Sequence, residues 1–74
     1  MRTRIPTYLI EDHVIKLLLL GAENGDIARS LGISLDRVKK VFSILFKRYN
    51  IVSGHKRIKL AVIMGKRPNF VNPN

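Results

Sequence analysis

Seventy-four residues suffice for one domain near the lower size limit for a core without metal or disulfides, and the absence of cysteine removes both disulfides and thiolate metal sites. No run approaches the roughly 18 apolar residues of a membrane span, because Lys16, Lys59 and the acids interrupt every candidate, so no membrane partner is expected. Fourteen Lys and Arg against five Asp and Glu give a formal net charge of +9, and the charges are segregated: all five acids lie in the first 36 residues, and ten basic residues follow with no acid among them, a pattern that points to a polyanionic partner, nucleic acid before an anionic surface or an acidic protein.

In chain order, residues 1–7 read as a flexible basic arm carrying Arg2 and Arg4. No apolar segment follows the two arginines as a secretion signal requires, so the expected location is cytoplasmic. Thr7 is placed to cap a first helix over 8–20, with Glu11 and Asp12 near its positive end. Ile10, Val14, Leu17 and Leu18 form its buried stripe, which Ile15, Leu19 and Leu20 widen. Gly21 ends it. A short second helix over 25–31 starts behind Asn24 as N-cap, with Asp26 in its first turn and Arg29 exposed.

Gly32 then marks a turn, Ile33 plugs the corner, and Ser34 caps a third helix over 35–49. Ala28 is small where two crossing helix axes come closest. Val38, Val41, Phe42, Leu45 and Tyr49 fall on the buried side of the third helix. Asp36, Lys40, Ser43 and Lys47 fall opposite, with Arg37 and Lys39 on the flanks. The stretch from Asn24 to Tyr49 therefore has the spacing of a helix-turn-helix, with an apolar back and a cationic front.

Ser53 is placed to cap a fourth helix over 54–64 with Ile58, Ala61 and Val62 inward. Leu60, Ile63 and Met64 are apolar beyond what one buried stripe needs, which fits either a well-packed last helix or a partly exposed apolar face at which these three are candidates for a dimer contact. Gly65 stops this helix, leaving a domain over 8–65 and a flexible tail over 66–74.

Nothing in the chain reads as an active site. Glu11 and Asp12 are adjacent, so on a helix they point about 100° apart and form no facing acid–base pair. His13 and His55 are remote from each other and lack partner ligands at metal spacing. There is no glycine-rich phosphate loop. The expectation is no catalytic residue, no metal, no cofactor and no small-molecule ligand.

One order of pieces is specific enough to name. A helix ends in Leu-Leu-x-x-Gly at Leu17 to Gly21, and Asn-x-x-Ile-Ala-x-x-Leu-x-Ile-Ser runs from Asn24 to Ser34. Val38-Lys39 follows, then Ile51, Ala61 and a closing Gly65, with Glu11 and Val14 upstream. This resembles the LuxR/GerE-type DNA-binding domain of bacterial transcription regulators, without a gap from about Leu9 to Gly65. The resemblance implies an all-α, four-helix helix-turn-helix domain. Its third helix would enter the major groove, and its fourth would form a two-fold dimer contact.

By position, the resemblance assigns base contacts to Lys39, Lys40 and Ser43. The charge pattern adds phosphate contacts at Arg29, Arg37 and Lys47. With about six cations on phosphate, the log–log salt slope of affinity is expected near −5. The chain departs from the family at four positions: Arg37 replaces Thr, Val41 replaces His, Ile44 replaces Asn, and Arg57 replaces a small residue early in the last helix. Family members usually carry a receiver or ligand-binding domain as well. The expected role here is a stand-alone, sequence-specific regulator on double-stranded DNA, working as a homodimer. The alternative is an adaptor or sigma-factor-like module that binds RNA polymerase or another regulator.

Overall fold

A computed structural model describes residues 7–66, which form four helices and no strand: α1 (Thr7–Leu19), α2 (Asn24–Leu31), α3 (Leu35–Arg48) and α4 (Lys56–Gly65). The predicted basic arm and tail lie outside the described residues except at residues 7 and 66, and the predicted Thr7 cap concerns a side chain that also lies outside them. Helices α1 and α3 each pack against all three others, whereas α2 and α4 do not meet. The core runs from Ile10, Val14, Ile15 and Leu18 of α1, through Ile27 of α2, to Val38, Val41, Phe42 and Leu45 of α3, and is closed by Ile51, Leu60 and Met64.

Three of the helix ends share one device. After α1, α2 and α3 the chain steps into the left-handed region at Gly21 (φ 86°), Gly32 (φ 65°) and Asn50 (φ 59°). In each case the next residue donates its N–H to a carbonyl five residues back: Ala22 to Leu17 at 3.0 Å, Ile33 to Ala28 at 3.1 Å and Ile51 to Phe46 at 2.8 Å. This is a Schellman closure, which satisfies the last carbonyls and turns an apolar residue back onto the helix it has just left. At Gly32 it leaves only Ile33 and Ser34 before α3 begins, and Ser34 Oγ accepts the Arg37 N–H at 3.0 Å as the predicted N-cap.

Other sequence expectations shift. Helix α1 begins at Thr7, so Glu11 lies beyond its first turn, on the buried side. There it accepts a forked hydrogen bond from Arg48, 2.6 Å from Nη1 to Oε1 and 3.1 Å from Nη2 to Oε2. Leu20, expected in the stripe, is exposed just past the helix end. Asn24 is not the cap of α2. It is the first helical residue, its Oδ1 lies buried without a hydrogen-bond partner, and the Asp26 carboxylate instead accepts the Glu23 N–H at 3.2 Å. Helix α3 stops at Arg48, with Tyr49 as its half-buried C-cap residue.

The largest correction concerns α4. It starts at Lys56 behind His55, so Ser53 caps nothing, and it turns Leu60 and Met64 inward, both fully buried, while Ile58 and Val62 are exposed. Two of the three predicted dimer residues are therefore core, and Ile63 is half-buried beside them. Arg57 supplies the physical reason. It lies on the same side of α4 as Leu60 and Met64, donates from Nη2 to the Ala22 carbonyl at 2.6 Å, and places its guanidinium 5.1 Å from the centre of the Phe42 ring. Counting Arg57 as an outward charge selects the other apolar stripe. Counting it as a stacked cation selects the observed one.

Two stability predictions follow from this packing. Leu60→Ala should cost about 2–5 kcal/mol in urea unfolding, while Val62→Ala should stay within about 0.5 kcal/mol; the reverse ranking would restore the opposite face of α4 to the core. In thermal melts, Glu11→Gln and Arg48→Gln should each lower Tm by several degrees. The double variant should lose clearly less than the two single losses together, because Arg48→Gln strands the largely buried Glu11 carboxylate and both single changes remove the same ion pair. Strict additivity would mean the pair contributes nothing.

Candidate nucleic-acid interface

Helix α3 is amphipathic in a way that separates its two jobs. Val38, Val41, Phe42 and Leu45 are buried along one side. Asp36, Lys39, Lys40, Ser43, Ile44 and Lys47 are exposed on the other, spread over the outward arc that 100° per residue predicts. The three residues assigned to base contacts thus share one solvent-facing surface with Lys47. Arg37 lies on the flank and is half-buried, with no side-chain partner among the described residues.

The use made of each cation distinguishes this surface from the rest of the basic half. Arg48 is tied to Glu11, and that forked, charged hydrogen bond holds its guanidinium further into the protonated form than is usual, against a smaller opposing effect of desolvation. Lys56 lies 5.7 Å from the centre of the Phe46 ring, which itself stacks on Phe42 at 5.8 Å. Arg57 serves Ala22 and Phe42 as above, and Lys59 Nζ donates to the Ser53 carbonyl at 2.8 Å. By contrast the side chains of Lys39, Lys40 and Lys47 have no hydrogen bond, ion pair or ring contact within the described residues. The cations of α4 hold the domain together; those on the outer side of α3 are left uncompensated.

Arg29 does not belong with them. On α2 it forms an ion pair with Asp26 one turn earlier, both side chains well exposed, so its charge is locally balanced. One acid, Asp36, sits on the α3 surface in the first turn, where the helix dipole favours it.

A second surface was not expected. Val52, Ile58 and Val62 are exposed and line a shallow groove with Tyr49, Ile51 and Ile63. Sequence reasoning put Ile58 and Val62 in the core and gave Arg57 no place in the packing, whereas the structure leaves both apolar residues exposed. The role of Arg48 was also missed, although a signal existed: Glu11 lies between Ile10, Val14 and Ile15 on an apolar helix, and a carboxylate there requires a cation from elsewhere in the chain.

Among the described residues, no helix is long and apolar enough to cross a membrane, and no three His, Asp or Glu side chains group closely enough to hold a metal ion. Comparison of the chain with protein-family models, with curated proteins and with solved structures finds no match, so the likeness to LuxR/GerE-type domains rests on the residues quoted above.

Proposed function

We propose that this chain is a sequence-specific double-stranded DNA-binding transcription regulator of LuxR/GerE-like, helix-turn-helix design, acting in the cytoplasm with α3 in the major groove. The observation that carries this reading is the cluster of unpaired cations on the outer side of α3, with Arg37 unpaired on its flank, in a domain whose other described late cations, Lys66 aside, have partners inside the fold. A helix with a packed back and a cationic, hydrogen-bonding front matches what a major groove admits. Lys39 and Lys40 reach guanine O6 or N7, Ser43 adds a hydrogen bond to a base edge, and Arg37 and Lys47 contact phosphate on either side. Arg29 joins them only by exchanging Asp26 for a phosphate.

Two copies of the chain bind a two-fold site. Their contact falls on the exposed side of α4 at Ile58 and Val62, since Leu60 and Met64 are occupied by the core. This apolar patch also favours a second reading, a protein-interaction module that docks on RNA polymerase or another regulator.

A gel shift with random duplex at low salt separates the two readings. DNA binding predicts a shift, while its absence with self-association or polymerase binding intact favours the module. With Arg37 and Lys47 on phosphate, the log–log salt slope should be about −2 per bound chain, and a salt-independent affinity would sink the proposal. Lys40→Ala should relax preference at one base position and cost roughly 1–3 kcal/mol, whereas Lys47→Ala should weaken specific and random duplexes alike. Equal losses on both kinds of duplex from both variants would mean the roles are wrongly divided.

A further inference from the structure

Leu35 and Ile44 are the large apolar side chains exposed on α3, and of the two Ile44 stands between cations of the outer surface on both sides. It is 39% exposed and stands on the helix four residues after Lys40 and three before Lys47, so both lysines flank it, and Arg37 lies two turns earlier. The fold gives it no place in the core: Val41 and Leu45, its apolar neighbours in sequence, turn to the buried side. A branched aliphatic group left partly in water between two like charges is not one of the residues that close the core. Its surroundings name what it could meet.

The edges of the major groove are lined with donors and acceptors, and the one apolar group there is the methyl on C5 of thymine, which 5-methylcytosine also carries. We infer that Ile44 reads a 5-methylpyrimidine, next to the base contacted by Lys40, and so makes the chain sensitive to one methyl group in its site. This deepens the DNA-binding reading and rests on it. The same contact extends to modified DNA: at the position Ile44 meets, 5-methylcytosine replaces thymine better than cytosine does.

The test uses the full chain and a duplex selected from a random pool. Each thymine is replaced in turn by deoxyuridine, which removes only the methyl group. At one position per half-site the replacement should weaken binding about fourfold, the worth of one buried methyl. In Ile44→Ala, whose side chain is exposed and whose fold is checked by circular dichroism, the same replacement should have no effect. Ile44→Val should keep part of it.

At that position cytosine should bind more weakly than 5-methylcytosine in the parent chain and equally in Ile44→Ala. Tight binding with no deoxyuridine-sensitive position overturns this inference while leaving the DNA-binding reading intact, as does a sensitive position that persists unchanged in Ile44→Ala. Failure to bind any duplex overturns both.

Discussion

The forked contact between Glu11 and Arg48 fixes how α3 is rolled about its own axis. A carboxylate on the packed side of α1 has lost most of its water, and it is tolerable there only while a cation stays within hydrogen-bond reach. That cation is supplied 37 residues later by the last residue of α3. A helix residue turns through 100°, so sliding α3 by even one residue would carry Arg48 away from Glu11 and bring polar side chains into the core. The pair thus ties the end of α3 to α1 in the packing that faces Lys40, Ser43 and Lys47 to water.

Helix α4 is held by related means. Its first turn sends Lys56 and Arg57 over the stacked rings of Phe46 and Phe42, and Arg57 reaches on to the Ala22 carbonyl in the connection between α1 and α2. In a core this small, long side chains that bury their stems and satisfy their charged ends at a ring or a carbonyl extend the packed area without adding a fully apolar residue. Leu60 and Met64 then follow on the same side. The β-branched Ile58 and Val62 are left outside, which is why the molecule carries an apolar patch it does not itself use.

Most of the backbone was legible in the sequence because it depends on local rules. Glycines at 21 and 32 and the Ser34 cap mark helix ends whose hydrogen bonds are made within a few residues, and the stripe of α3 is set by spacing alone. What escaped was decided at long range. Asn24 is the better cap by residue type until the Asp26 carboxylate takes the Glu23 N–H and starts the helix one residue earlier, and the two stripes of α4 are both apolar until Arg57 finds Phe42 and Ala22. In the sequence Glu11 reads only as an acid near the start of α1, and its partner stands 37 residues further along the chain. The candidate surface on α3 was legible as a face, but the division between cations that bind the fold and cations that stay free required knowing the partners of each.

That division bears on how the proposed DNA contacts could change over time. The residues that orient α3 are its buried stripe and Arg48, and none of them lies on the outer arc. Conversely, Lys39, Lys40, Ser43 and Lys47 are exposed and stand apart from the core cluster, so substitution there should leave the packing of α3 unaltered. Affinity from charge and choice from base edges can then be adjusted separately on one rigid surface. The constraint runs the other way for Arg57 and Lys56: they carry the same charge as the free lysines, but their replacement disturbs the helix that closes the core.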